Sequence, residues 1–375
     1  MRKIRVLIVD DSVVVRKMLA DVLAAEPALD IVGSASNGRI ALQKIPQVNP
    51  DLITLDLEMP EMDGLATLKE IRRSYPRIPV IMFSMLTARG ADATLDALAA
   101  GASDCVCKPT NMTNAVAAMQ NIREQMIPKI RALCPFAENL PWPTQPLDPS
   151  RRFAAQNKTN AKPRKVNEPI EIVTIGVSTG GPNALSQLLP QLPADFPVPI
   201  VIVQHMPPIF TKQLALRLDK ISPLQVREAE AGAVLYPGEV WIAPGDFHLV
   251  VGRQGGVASL ALQQGPPENS CRPAADVLFQ SVVDTFGART LGVVMTGMGQ
   301  DGLRGCERIR DAGGRILVQD EASSVVWGMP GTVARAGLAD NIVPLDRLAI
   351  EIDRDVRKSR NSLSSFSLVA ARGQQ

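Results

Sequence analysis

Residues 171–185, Glu-Ile-Val-Thr-Ile-Gly-Val-Ser-Thr-Gly-Gly-Pro-Asn-Ala-Leu, restrict the fold of this chain more than any other stretch. They read as a short buried strand carrying Ile172, Val173 and Ile175, then a glycine-rich turn, then a helix. Pro182 suits the first turn of that helix, where a missing N–H costs nothing. Inside the turn, Gly176-Val177-Ser178-Thr179-Gly180 fits G-x-S-x-G, the nucleophile elbow. A serine there sits on a sharp strand-to-helix turn at the edge of a sheet. The backbone N–H groups that follow, from Thr179 on, lie at a helix N-terminus and can hold an oxyanion. A phosphate or dinucleotide loop is the competing reading. It lacks the third glycine of G-x-G-x-x-G and the G-K-[ST] of a P-loop.

The 375 residues suggest two or three domains, and 46% hydrophobic content suits globular cores. A net charge of +2 gives no electrostatic case for nucleic acid or an anionic membrane. Five scattered cysteines argue against a disulfide framework, and Cys105 and Cys107 have no second pair at zinc spacing. No apolar run reaches transmembrane length, and the basic start ends in Asp10 and Asp11 after too short an apolar run for a signal peptide. A reducing cytoplasm is the expected location, without membrane insertion.

Residues 1–127 alternate strand and helix patterns. Strands are expected at 4–10, 31–35, 52–56, 80–84 and 104–107, and helices near 13–25, 39–45, 65–74, 91–100 and 111–127. Five such repeats imply an α/β, doubly wound parallel sheet whose functional groups gather at the strands' carboxyl ends. Asp10 and Asp11 end the first strand, Asp56 the third and Ser84 the fourth, while Lys108 follows the fifth. Three carboxylates brought together need a cation, and oxygen ligands favour Mg²⁺. A lysine and a hydroxyl opposite them suit a phosphoryl group. Each aspartate alone would pass as a helix cap, but five groups at matching strand ends would not.

This constellation resembles the receiver domain of bacterial response regulators. Asp56, with Met59-Pro60 and Asp63-Gly64, matches the phosphoacceptor strand and its loop, and Lys108-Pro109 matches the lysine and its cis-proline. The resemblance implies Mg²⁺ on Asp10, Asp11 and Asp56, phosphorylation of Asp56 by a histidine kinase, and phosphoryl binding by Ser84 and Lys108. Receivers usually carry an aromatic switch three residues before that lysine; here the position is Cys105.

Residues 128–168 have the proline-rich, basic composition of a linker. Residues 169–352 form a second α/β unit, with strands expected at 172–176, 200–204, 226–228, 240–243, 249–252, 258–262, 291–296 and 315–319. Helices are expected near 183–189, 211–218, 274–286, 303–312 and 324–335. Short, hairpin-spaced middle strands predict a mostly parallel sheet with an antiparallel edge. Residues 353–375 read as a disordered tail.

Ser178 needs a base, and the chain has two histidines. His205 closes the apolar run 199–204, one strand and one helix after the elbow, so successive parallel strands bring it beside Ser178. His248 reads better as a strand-edge residue. Asp301, in the glycine-rich turn after the strand at 291–296, is the carboxylate to orient His205. An N-cap aspartate is its alternative reading.

The second unit resembles the catalytic domain of chemotaxis protein-glutamate methylesterases. The motifs are Gly176-Val-Ser-Thr-Gly-Gly-Pro182, Gln204-His-Met-Pro207, Cys271-Arg-Pro-Ala-Ala-Asp-Val-Leu278, Met295-Thr-Gly-Met-Gly-Gln-Asp-Gly302 and Trp327-Gly-Met-Pro330. The resemblance implies hydrolysis of glutamate methyl esters on chemoreceptor helices through Ser178, His205 and Asp301, with an oxyanion held near Thr179 and Met298. Methanol is released, and receptor glutamine is deamidated by the same chemistry. No cofactor is implied for the esterase step. The implied partners are the chemoreceptors and the system's histidine kinase, and a monomer is expected. Autoinhibition by the unphosphorylated receiver is implied too. Two other classes stay open: a second domain that only binds a ligand, and a small-ester hydrolase using Ser178, Asp219 and His248.

Overall fold

The structure is a computed structural model that describes residues 2–109, 115–134 and 168–372, the last twelve as helical backbone. The body of the expected linker, 135–167, lies outside the described residues.

The first unit runs β1 (Ile4–Val9), α1 (Val13–Ala24), β2 (Leu29–Ala35), α2 (Gly38–Val48), β3 (Leu52–Asp56), α3 (Gly64–Ser74), β4 (Val80–Ser84), α4 (Ala88–Ala99), β5 (Asp104–Cys107) and α5 (Ala115–Leu133). Its sheet has the order β2-β1-β3-β4-β5 with every pairing parallel. The first four helices begin where a short polar side chain accepts a backbone N–H: Ser12, Asn37, Asp63 and Thr87. Pro128, expected to open the linker, lies inside α5. Burial of Ile122, Met126, Ile127 and Ile130 on either side carries the helix through the proline. Among the described residues the cis peptide is Arg272–Pro273, not Lys108–Pro109.

The second unit runs β6 (Ile172–Val177), α6 (Gly181–Leu188), β7 (Ile200–Gln204), α7 (Phe210–Asp219), β8 (Gln225–Glu228), β9 (Glu239–Ile242), β10 (His248–Gln254), β11 (Val257–Gln263) and α8 (Ala275–Phe286). It continues through β12 (Thr290–Val294), α9 (Leu303–Asp311), β13 (Arg315–Gln319), α10 (Met329–Arg335), β14 (Asn341–Val343) and α11 (Leu345–Arg372). Seven parallel strands follow the order β14-β13-β12-β6-β7-β9-β8. The antiparallel pair is a ribbon of its own, β10 against β11. The strand bearing the elbow, β6, is therefore central, with β12 and β7 as neighbours.

Two expectations at the C-terminal end are corrected. The helix expected from 324 starts only at Met329, because Val326 N–H donates to Thr296 Oγ1 and Trp327 bridges Gly297, which holds the approach extended. Residues 353–360 are not a tail. They continue α11, whose Leu345, Leu348, Ala349, Ile352 and Val356 are buried. That spacing is one apolar helical face.

The two units touch. Helix α4 packs on α6 and α7, and buried apolar side chains of both units form one continuous cluster. Asn183 Nδ2 donates to Leu98 O at 2.7 Å, and Arg217 Nη1 to Asp96 Oδ1 at 2.6 Å. Asp104 accepts from Thr179 Oγ1 on one oxygen and from Lys129 Nζ on the other.

Candidate active site

Ser178, His205 and Asp301 follow β6, β7 and β12 respectively, so three adjacent parallel strands deliver them to one edge of the sheet. The turn after β6 is tight. Ser178 N–H donates to Thr296 O, and Gly181 N–H donates back to Ser178 O at 2.8 Å. Gly180 adopts φ +79°, a left-handed conformation that a Cβ disfavours. A Cβ on Gly181 would stand 1.9 Å from Gln204 Oε1. The glycines of this turn thus answer to a conformation and a close approach.

His205 N–H donates to Val177 O at 3.1 Å, which sets the histidine alongside the elbow. Its Nε2 lies 2.8 Å from Asp301 Oδ2, and its Nδ1 lies 3.7 Å from Cys271 Sγ. Asp301 is buried and also accepts N–H bonds from Ala275, Asp276 and Gly302. Burial disfavours the imidazolium of His205, but Cys271 and Asp301 outweigh it and raise the ring to about 10. Burial likewise opposes the Asp301 carboxylate. His205 and the backbone donors outweigh it and hold Asp301 below the usual range.

Met298 sits next to Gly297, whose added Cβ would meet Ser178 Cβ at 2.8 Å, so this loop backs directly onto the elbow. The alternative partners have other engagements. Asp219 Oδ1 accepts from Val226 N–H, and His248 Nε2 is 3.0 Å from Pro266 O.

Sequence reasoning missed several supports of the site. Gln204 is buried and donates to Ser178 O at 2.9 Å; its place beside His205 was the available signal. Gln319 Oε1 accepts from Thr296 N–H, and Thr296 Oγ1 donates to Thr179 O. Cys271 opens one of the motifs quoted above, though nothing marked it as a contact of His205, while Asn269 arrives from a turn whose polar sequence resembles any other.

In the first unit, Asp10, Asp11 and Asp56 each offer an oxygen within 4.8 Å of the others, two of them buried and Asp11 exposed. Lys108 Nζ is 2.9 Å from Asp10 Oδ2 and 2.7 Å from Asp56 Oδ2. Burial raises Asp56 to about 6 despite the lysine. Gly64 is obligatory here, since a Cβ would stand 2.1 Å from Asp56 O. Ser84 ends the neighbouring strand, but its Oγ bonds Thr94 Oγ1 at 2.8 Å. Thr94 donates its own proton to Gly90 O, so Ser84 is the donor, and it faces α4.

Residues 173–352 match the CheB methylesterase family, and residues 6–120 match the response regulator receiver domain family. A protein-glutamate methylesterase/protein-glutamine glutaminase of Trichodesmium erythraeum is 55% identical over 95% of this chain and 100% of its own. The chain belongs to that family. A namesake from Nocardioides sp. is 50% identical over 96% of this chain and 97% of its own. The crystal structure of the Thermotoga maritima CheB methylesterase catalytic domain is 43% identical, covers 49% of this chain and 97% of its own, and has a TM-score of 0.49. Among the described residues no helix is long and apolar enough to cross a membrane.

Proposed function

We propose that this chain is a phosphorylation-regulated serine hydrolase that removes methyl groups from glutamate esters on chemoreceptor helices and deamidates glutamines there. The observation that carries the reading is the His205–Asp301 pair, at the sheet edge that also bears the Ser178 elbow. The activity for which relatives that match nearly the whole chain are named supports the substrate class.

In this mechanism neutral His205 takes the Ser178 proton through Nδ1, whose 3.7 Å contact with Cys271 Sγ is the weaker one, because Nε2 is held at 2.8 Å by Asp301. The serine oxygen attacks the ester carbonyl, and the oxyanion is held by backbone N–H groups at Thr179 and Met298. The imidazolium, steadied by Asp301, protonates the departing methanol. Water, deprotonated by His205, then frees Ser178 and leaves a glutamate carboxylate. An amide passes through the corresponding tetrahedral species, and its nitrogen, protonated by the imidazolium, leaves as ammonia. This step uses no cofactor.

In the receiver, Asp56 accepts the phosphoryl group from the system's histidine kinase. Asp10, Asp11 and Asp56 fit Mg²⁺, being hard oxygen donors gathered with one exposed member. Bound there, Mg²⁺ would offset charge on the phosphoryl oxygens. Lys108, 2.7 Å from Asp56 Oδ2, would bind the phosphoryl group, and Ser84 would join it only by leaving Thr94. The contacts of α4 and Asp104 with α6 and Thr179 support a receiver that restrains the esterase until phosphorylation loosens it. The site of action is the cytoplasmic part of the receptor, and the working unit is the monomer.

The test is methanol release from methylated receptor membranes, with and without a small phosphodonor. Wild type should respond to the donor, and Asp56→Ala should stay at the basal rate. Ser178→Ala and His205→Ala should each lose several orders of magnitude, while His248→Ala keeps most activity. Ser178→Ala activity within roughly tenfold of wild type would overturn the reading.

A further inference from the structure

Two buried carboxylates lie behind His205. Asp301 meets its Nε2, and Asp276, in the first turn of α8, stands beside Asp301. Like charges this close disfavour each other, and among the described residues neither carboxylate is paired with a lysine or arginine. Between them sits one amide. Asn269 Nδ2 is 2.9 Å from Asp276 Oδ2 and 3.0 Å from Asp301 Oδ1, so each of its two protons serves a different carboxylate.

We propose that Asn269 is a positioning residue for the reaction: its amide bridges Asp276 and Asp301, and so holds the two carboxylates together with Asp301 aimed at His205. The inference rests on Ser178, His205 and Asp301 acting together as proposed above.

The loop is shaped to place that amide. Glu268 and Cys271 exchange backbone hydrogen bonds of 3.0 and 2.8 Å, closing a turn between them. Asn269 and Ser270 in that turn have φ of 52° and 63°. Asparagine tolerates this conformation better than other residues with a Cβ. The same turn sets Cys271 against the other ring nitrogen, so a single loop touches both ends of the base. The electrostatics agree. Burial and the charge of Asp301 both raise Asp276, which makes this pair ready to take up a proton once its bridge is lost. Asp276 also accepts Gly305 N–H at 2.7 Å, a bond that an asparagine oxygen can keep.

The test uses the full chain and two readouts. One is the rate at which a fluorophosphonate labels Ser178, which needs no receptor. The other is methanol release from methylated receptor membranes across pH. Asn269→Gly keeps the left-handed backbone and deletes the amide. It should lower kcat and labelling by about tenfold or more with KM nearly unchanged. The acid limb of the kcat profile should move to lower pH, because a pair that has taken up a proton no longer supports the His205 imidazolium. Asn269→Asp, similar in shape but adding a third charge, should be slower still. Adding Asp276→Asn to Asn269→Gly should restore much of the rate, since it removes the repulsion; repair of a merely structural turn would not follow. Wild-type labelling in Asn269→Gly, or a double variant no faster than Asn269→Gly, would overturn the proposal. If the wild type labels but releases no methanol, the proposed substrate fails, and the labelling rates still decide the role of Asn269.

Discussion

Thr179 Oγ1 donates a 2.5 Å hydrogen bond to Asp104 Oδ2, joining the residue after Ser178 to the first residue of β5 in the other unit. Lys129 Nζ holds the other carboxylate oxygen at 2.7 Å, so the acceptor is fixed from its own side. A hydrogen bond to a charged group is worth about 1.5–3 kcal/mol, or roughly ten- to a hundredfold in a docking equilibrium. Asp104→Ala should therefore raise basal methanol release by up to that factor and shrink the response to a phosphodonor. A basal rate equal to wild type would mean that this bond does not restrain the site.

Cys271 gives a pH prediction. A ring that already carries its proton cannot take one from Ser178, so kcat/KM of the unphosphorylated chain should climb with pH toward about 10. Burial works against that elevation and Cys271 works for it. Cys271→Ala should therefore move the climbing limb to lower pH. The same elevation contributes stability below the unfolded value near 6.5 that is lost as pH rises through about 10. Thermal melts of the wild type should show this contribution fading as pH rises toward about 10.

Gly297 gives a steric one. A Cβ there would lie 2.6 Å from Met329 Sδ and 2.8 Å from Ser178 Cβ. The methionine can yield, but the serine cannot move without leaving the elbow. Gly297→Ala should cost about 1–3 kcal/mol in chemical denaturation and reduce fluorophosphonate labelling more than its modest destabilisation explains.

The Ser84–Thr94–Gly90 chain ties the end of β4 to α4, the helix that contacts both α6 and α7. Thr94→Val leaves a similar shape and removes the hydroxyl that holds Ser84. With that hold gone, less phosphodonor should be needed for half-maximal activation, while Asp56 is phosphorylated as before. An unchanged dose response would place the route through other contacts.

Much of this was legible in the sequence because strand ends are conspicuous. Apolar runs that stop at Asp10, Asp56, Ser84, Gln204 and Thr296 mark the edges where polar groups collect, and glycines mark the close turns. Pairings between distant segments were not. Nothing near Asp104 announces Thr179, and nothing near Asn269 announces Asp301, because those contacts exist only after the sheets form. Helix α11 was misjudged for a different reason. Its serines and arginines looked like solvent-seeking composition, while the apolar face at 345, 348, 352 and 356 needed a partner that the chain alone does not display. The route of coupling also changed meaning. With Cys105 buried at the position where receivers usually carry an aromatic, α4 and Asp104 offer direct physical contacts between the units.

The chain enters β6 under a double restraint. Ile170 N–H donates to Ser359 Oγ on α11 at 2.9 Å, and Glu171 is bound to Arg289 through both its backbone N–H and its side chain. Any pull that the preceding residues exert is therefore grounded at 170–171, two residues before the strand begins to carry load toward Ser178. Tension along the polypeptide is a poor messenger in such an arrangement. In the regulation proposed above, the signal from the phosphorylated domain would cross by the departure of one surface from another, with no demand on the length of the connecting segment.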